Sequence, residues 1–304
     1  GTTYTVTVRS CDDAQNVTFS RNCSTGTDYI FLWDSERSTT TIVQPTNAGR
    51  YNETAWEVTL SSSIQGYVTE DDSSDPEPGS QVNAVQIRIN RSNLTAAYWD
   101  KTITDWTSPV AGDVAAEWID VNFTNWAQTA TWRYDSIMST NLADGGNYLI
   151  YVRARDKAVN HDGTAGNNWN VTNATITFAF DSSAPVSVST SPGSGSPYIG
   201  SWSQNEGIRG TASDPNSGII NDVKVGIRNN NLMKWWDGSA FNATPGPTLI
   251  STLTFSGQNP EKFWYVKLQE SDFIDGTSYA VLVHATDSLA QTESFGKALT
   301  TFYY

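Results

Sequence analysis

Along this chain apolar and polar residues alternate in short runs, and no stretch repeats its apolar positions with a helical period. Tyr279, Val281, Val283 and Ala285 fall on one face of an extended segment, while Leu282, His284 and Thr286 take the other. Tyr148, Ile150, Val152 and Ala154 repeat that arrangement. Val85, Ile87 and Ile89 alternate likewise, as do Val223, Val225 and Ile227. Turn-rich stretches such as Pro192-Gly193-Ser194-Gly195 separate the runs. Many short strands, each with one core face, predict an all-β protein of antiparallel two-sheet sandwiches.

One passage recurs three times. It begins at Gly1, Gly145 and Gly276 and runs through a turn, a tyrosine, an alternating strand and a closing aspartate: Asp12, Asp156 or Asp287. A polar loop and a last strand follow each copy. Other segments pair off in the same way. Ile64–Val68 corresponds to Ile208–Ala212, Val85–Asn90 to Val223–Arg228, and Tyr98–Asp100 to Trp235–Asp237. Thr131–Tyr134 corresponds to Phe263–Val266, and Thr41–Pro45 to Val188–Pro192. Tyr4 and Tyr148 lie 144 positions apart and Tyr148 and Tyr279 lie 131 apart, so the period is that of a domain and not of a solenoid. The expected organisation is a partial module at residues 1–37, holding only the last two strands of a sandwich, followed by whole modules at 38–181 and 182–304.

Length supports that division, because 304 residues suffice for about two domains that each bury a core. Charged residues are only 16% of the chain against 38% apolar, with abundant Ser, Thr, Asn and Gly, a balance expected of an extracellular or cell-surface protein. No apolar run is long enough for a membrane span, and no leader peptide is visible. The chain therefore reads as a mature product or as part of a longer precursor. A net charge of -14 argues against nucleic-acid and anionic-lipid partners, which need clustered Lys and Arg.

At this point particular residues carry a resemblance. Asp144-Gly145-Gly146-Asn147-Tyr148 and Asp275-Gly276-Thr277-Ser278-Tyr279 resemble the tyrosine corner that leads into the penultimate strand of immunoglobulin-like and fibronectin-type sandwiches. Asp156-Lys157-Ala158-Val159-Asn160 and Asp12-Asp13-Ala14-Gln15-Asn16 resemble the Asp-x-Ala-x-Asn turn of bacterial and archaeal Ig-like surface repeats. Asp181-Ser182-Ser183-Ala184-Pro185 is similar to the linkers that join such repeats. The resemblance implies tandem Ig-like sandwiches and attaches no activity to them. Neither whole module has the paired cysteines of antibody domains, and module one alone carries an acidic insertion, Glu70 to Glu77.

Cys11 and Cys23 both lie in the loop of the partial module, where a disulfide is expected to close it. Sequons place N-linked glycans at Asn16, Asn52, Asn90, Asn93, Asn122, Asn170, Asn173 and Asn242, with Asn22 set aside because Cys23 occupies its sequon. His161 and His284 have no spacing partner for a metal or a nucleophile. The acidic insertion and the loop Ser213-Asp214-Pro215-Asn216-Ser217-Gly218 offer oxygen ligands for calcium, but neither matches a defined signature, and the expectation is a solvated turn with no bound metal or other cofactor.

Two readings compete. In one the chain is a non-enzymatic structural subunit of an extracellular filament, sheath or surface layer, polymerising head-to-tail with copies of itself. The contact would be the hairpin face bearing Tyr4, Val6 and Val8 on one strand and Tyr29, Phe31 and Trp33 on the other, completed by strands from a neighbour. In the other it is an adhesin or a carbohydrate-binding array. Trp106, Trp118, Trp126 and Trp169, which lack counterparts in module two, are where a binding face or a subunit contact is expected. Trp132 with Trp264, and Trp99 with Trp236, recur at matched positions and read as core.

Overall fold

The computed structural model describes residues 2–10, 26–33, 38–69, 82–93, 97–108, 118–124, 129–156, 169, 174–193, 207–243, 246–251, 254–256, 261–294 and 299–304. The chain is all-β. A hairpin of β1 (Thr2–Val8) and β2 (Thr27–Trp33) comes first. Eleven strands of the first sandwich follow: β3 (Thr39–Gln44), β4 (Gly49–Tyr51), β5 (Ile64–Thr69), β6 (Val82–Arg91), β7 (Ala97–Asp100), β8 (Asp105–Thr107), β9 (Ile119–Asp120), β10 (Asn122–Phe123), β11 (Thr129–Tyr134), β12 (Gly146–Asp156) and β13 (Ala174–Phe180). The second sandwich has β14 (Val186–Ser191), β15 (Ile208–Ser213), β16 (Ile220–Asn229), β17 (Lys234–Trp236), β18 (Phe241–Ala243), β19 (Ile250–Ser251), β20 (Thr254–Ser256), β21 (Glu261–Val266), β22 (Ser278–Asp287) and β23 (Leu299–Tyr303).

In the first sandwich a four-stranded sheet, ordered β10-β11-β5-β3, accompanies a larger one ordered β4-β13-β12-β6-β7-β8, with β9 also pairing β6. The second repeats the plan: β14-β15-β21-β20 and β18-β17-β16-β22-β23, with β19 on β16. The registers match as closely as the orders. Trp132 pairs with Gly66 and Trp264 with Gly210. The β3–β5 ladder shifts between Ile42 and Gln44, and β14–β15 shifts between Ser189 and Ser191. Each of those strands ends against a proline, Pro45 or Pro192, which has no N–H to extend the ladder.

The core faces are those the alternation predicts. Tyr148, Ile150, Val152 and Ala154 of β12 are fully buried, as are Ile87 and Ile89 of β6 and Val223, Val225 and Ile227 of β16. Tyr148 stacks on Phe178 with ring centroids 4.9 Å apart, and Tyr279 stacks on Phe302 at 5.5 Å. The backbone N–H of Ile274 donates to the Tyr279 hydroxyl at 2.8 Å, so the tyrosine pins the turn leading into its own strand. A matching closure follows in both sandwiches: Gly145 N donates to Phe180 O at 2.9 Å and Gly276 N to Tyr304 O at 2.7 Å. Both glycines have positive φ, 70° and 72°, which a residue with a Cβ adopts only at a cost.

One core element carries no periodic signal. Ala55–Thr59 is a short helical turn whose Trp56 is completely buried, stacks on Phe178 at 5.0 Å and donates its indole N–H to Ile137 O at 2.9 Å. Five residues are too few to establish a period, so the alternation predicts no helix here.

By compactness the chain divides into two units. One comprises Gly1–Gly49, Trp56–Asn141 and Asn147–Phe178, the other Arg50–Ala55, Leu142–Gly146 and Ala179–Tyr304.

Candidate functional site

β1 and β2 form a two-stranded sheet of their own, antiparallel, with Tyr4 opposite Phe31 and Val6 opposite Tyr29. Tyr4 and Val6 are each 47% exposed, Val8 57% and Tyr29 61%. In the whole sandwiches the strands of matching sequence, β12 and β22, lie between two neighbours: β6 and β13 in one case, β16 and β23 in the other. Among the described residues β1 has one neighbour. Cys11 and Cys23, expected to form a disulfide, lie outside the described residues, as do Asn16, Asn22, Asn170, Asn173 and His161.

Of the remaining sequon asparagines, Asn122 and Asn242 are exposed, while Asn52, Asn90 and Asn93 are half-buried. Asn93 accepts a hydrogen bond from Asn147 N at 2.5 Å, and Asn52 donates to Leu289 O at 3.2 Å. His284 lies on the outward side of β22, half-buried.

Among the tryptophans singled out as stacking platforms, Trp106 is half-buried and packs against the core. It meets Trp99 edge-on at 5.5 Å, lies 5.1 Å from Tyr148 and donates to Asn141 O at 2.6 Å. Trp118 and Trp169 lie over one guanidinium, that of Arg153, at 4.0 and 4.2 Å. Arg153 in turn donates through Nε and one terminal nitrogen to Gln86 Oε1, at 2.9 and 2.6 Å. Each of these two indoles thus has one face against an arginine of the same unit. Trp126 lies outside the described residues. Trp99, Trp132, Trp236 and Trp264 are buried core, as their recurrence indicates.

A shallow depression of about 560 Å³ lies on the smaller sheet of the first sandwich, lined by Val43, Tyr67, Phe123, Trp132 and Arg133 among others. Its lining is mainly apolar, with Arg133 as the one charged residue. General acid–base chemistry needs paired titratable groups, which this lining does not supply.

The strongest concentration of chemistry lies in the second compact unit. Asp181 follows β13, Asp214 follows β15 and Asp287 closes β22, yet a carboxylate oxygen from each falls within 4.8 Å of the others. All three are buried, at 1%, 2% and 1% exposure. The expectation of a solvated turn at Ser213–Gly218 therefore fails at Asp214. Two local features turn its side chain inward. Pro215 and the left-handed Asn216 (φ 55°) fold the loop back. Gly218 then leaves room for the carboxylate, where a Cβ would collide with it.

Asp144 organises the surroundings. Its carboxylate accepts from Ser182 N at 2.7 Å, Ser183 N at 3.2 Å, Ser183 Oγ at 2.5 Å and Asn216 Nδ2 at 2.6 Å, tying the Asp181 segment to the Asp214 loop. Burial opposes ionisation of Asp144, but these hydrogen bonds outweigh it and hold its carboxyl below the usual carboxylate range.

Asp287 accepts from Leu289 N and Gln291 N, both at 2.8 Å, and from Gln291 Nε2 at 3.0 Å. Asp181 accepts from Arg50 at 3.2 Å through one oxygen, while its Oδ1 is buried without a hydrogen-bond partner. Both carboxylate oxygens of Asp214 are likewise buried and, among the described residues, without a hydrogen-bond partner. Burial, and then the charges of Asp181, Asp287 and Asp144, push the Asp214 carboxyl up to about 7. Burial also raises Asp181, against the opposing pull of Arg50.

No family model matches the sequence, and no curated protein matches it. Solved structures do align. The fibronectin(III)-like modules of CbhA from Clostridium thermocellum match at 15% identity over 87% of this chain and 93% of theirs, with a TM-score of 0.29. A tetra-tandem repeat in the extending region of a large adhesion protein matches at 12% identity and TM-score 0.32, over 99% of this chain and 56% of its own. A Ca2+-stabilized adhesin with which an Antarctic bacterium reaches out and binds ice matches at 12% and 0.27, over 99% and 55%. The chain spans just over half the length of these two adhesin fragments. At such identities and TM-scores the matches establish neither family nor function. The class is defined by the molecule's own sheets, which make it an all-β chain of tandem Ig-like sandwiches preceded by a hairpin.

Proposed function

We propose that this protein is a non-catalytic structural subunit of an extracellular filament, sheath or surface layer, and that its hairpin is completed by strands from a neighbouring copy. The supporting observation is the hairpin itself. β1 repeats the sequence pattern of β12 and β22, whose core-facing residues are buried, while Tyr4, Val6 and Tyr29 stand half exposed. A two-stranded hairpin is marginal in water. A neighbour's strand added beside β1, as β6 and β16 lie beside β12 and β22, would extend the hairpin's sheet, and further strands of that neighbour packed against it would cover the apolar face. Because donor and acceptor would be different surfaces, the contact is heterologous and propagates into a polymer unless it closes into a ring.

Glycans on exposed Asn122 and Asn242 would coat such an assembly, and a disulfide between Cys11 and Cys23 would close the hairpin loop. The competing reading, an adhesin or carbohydrate-binding array, would have to use the remaining faces of Trp118 and Trp169, since one face of each lies against Arg153.

The test is electron microscopy and light scattering on the full chain, beside a Val6→Asp variant that places a charge on the hairpin face. Expected are filaments or large oligomers from the unaltered protein and monomers from the variant. Monodisperse monomers of the unaltered chain at high concentration would overturn the proposal.

A further inference from the structure

We propose that Asp181, Asp214 and Asp287 form a binding site for a hard divalent cation, best fitted by calcium. Two independent observations lead there. The first is spacing. Oxygens bound to one calcium ion at about 2.3–2.6 Å can lie no more than roughly 5 Å apart, and the three carboxylates each offer an oxygen within 4.8 Å of the other two.

The second is the state of Asp214. It is 2% exposed, it points into the cluster, and among the described residues neither of its oxygens has a hydrogen-bond partner; Asp181 Oδ1 shares that condition. Buried polar atoms are almost always partnered, and a buried carboxylate left alone is among the costliest arrangements a fold can hold. Hydrogen bonds from Leu289, Gln291 and Arg50 satisfy Asp287 and one oxygen of Asp181, and they stop there. The atoms that remain are acceptors without donors, the pattern a cation satisfies.

Charge and ligand type narrow the occupant. The three carboxylates, with Asp144 beside them, outnumber the guanidinium that contacts them among the described residues, Arg50, and leave an excess of negative charge that a divalent ion offsets. The donors are all oxygen, so metals that favour thiolate or imidazole are poorly matched. Magnesium is smaller, demands near-octahedral geometry and gives up its water reluctantly, whereas calcium accepts carboxylates in one- or two-oxygen mode with flexible geometry. Asp144 is the positioning residue. It bonds to Ser182, Ser183 and Asn216, and so holds the Asp181 segment and the Asp214 loop at the separation the site requires.

The experiment titrates calcium chloride into the full, chelator-stripped chain by calorimetry and records thermal unfolding with and without the ion. Asp214→Asn serves as the variant, since it keeps the shape, removes the charge and relieves the burial cost, and so is expected to fold. The unaltered protein should bind calcium and gain about 5–10 °C in Tm at a hundredfold excess over Kd, the variant should gain at most a small fraction of this, and magnesium should act more weakly. A control with Asp71→Asn and Asp72→Asn in the acidic insertion should keep the full gain. Absence of binding heat and of any Tm gain in the unaltered protein would overturn the site. An undiminished gain in Asp214→Asn, or its loss in the insertion control, would do the same. An equal gain from magnesium would overturn the assignment to calcium.

Discussion

Trp264 sits directly across from Gly210 in the ladder between β15 and β21, and a Cβ on residue 210 would fall 2.6 Å from its indole Cε2. Trp132 and Gly66 stand in the same relation on β11 and β5, where a Cβ on residue 66 would fall 2.7 Å from the indole Cζ2. Each glycine lets a completely covered tryptophan lie down on the neighbouring strand. Its own Cβ direction also points at a backbone carbonyl, of Val188 or Thr41, which cannot move aside without breaking the ladder. Gly210→Ala and Gly66→Ala should therefore each cost roughly 2–4 kcal/mol, more than the propensity of alanine for a strand would suggest. Urea unfolding measures this, and a loss under about 0.5 kcal/mol would show that the indole relocates freely.

A second consequence concerns Tyr279. Its ring is held by Phe273 at 4.9 Å and Phe302 at 5.5 Å, and its hydroxyl accepts from Ile274 N. Tyr279→Phe keeps the stacking and strands the amide, so the expected cost is about 1–2 kcal/mol without loss of fold. Tyr279→Ala removes both and should cost about 3–5 kcal/mol. Chemical unfolding of the two variants separates these contributions, and equal costs would mean that the hydrogen bond carries the corner.

Much of this architecture is legible from residues alone because two-residue alternation translates directly into buried and exposed faces. Tyr148 to Ala154 and Val223 to Ile227 behave as that rule requires. Recurrence also separates core tryptophans from the rest: Trp132 and Trp264, matched in sequence, are matched in burial. The carboxylate cluster was legible only in part. Ser213 to Gly218 reads as a turn with oxygen ligands, yet its composition is equally that of a solvated loop, and the partners that bury Asp214 lie 33 and 73 positions away at Asp181 and Asp287. Nothing local marks such a convergence. A faint signal did exist in the closing aspartate of each repeat, since Asp156 and Asp287, set at matched strand ends, are both buried at 1% exposure. The pairing of Trp118 and Trp169 on Arg153 was invisible for another reason. It depends on Trp118 and Trp169, 51 positions apart, meeting over the outer face of one strand, and sequence spacing says nothing about such a meeting.

That arginine makes a prediction of its own. Arg153 lies beneath two indoles, 4.0 and 4.2 Å from their centroids, and bonds twice to Gln86. Arg153→Lys keeps the charge but loses the flat face and the two-pronged hydrogen bond, and Arg153→Ala loses everything. Expected costs are about 1 kcal/mol for lysine and about 2 kcal/mol for alanine, with altered tryptophan fluorescence in both. Unchanged emission would mean that the indoles do not depend on the guanidinium.

Finally, the raised carboxyl of Asp214 fixes the sign of a pH dependence in calcium-free buffer. Its value of about 7 in the folded chain stands above the ordinary 3.8, chiefly through burial and then through the charges of Asp181, Asp287 and Asp144. Between those values the folded state holds a proton that the unfolded state has released. Stability from this group is therefore fully present below about pH 4 and is lost as the pH rises through about 7. Three units at 1.36 kcal/mol each set an upper scale of roughly 4 kcal/mol, shared with the neighbours that titrate with it. Asp214→Asn cannot release a proton. The gap in unfolding free energy between variant and unaltered chain should widen in favour of the variant from pH 4.5 to pH 8, by a few kcal/mol. Urea midpoints across that range provide the measurement, and a gap that stays constant with pH would show that Asp214 is ionised throughout in the folded chain.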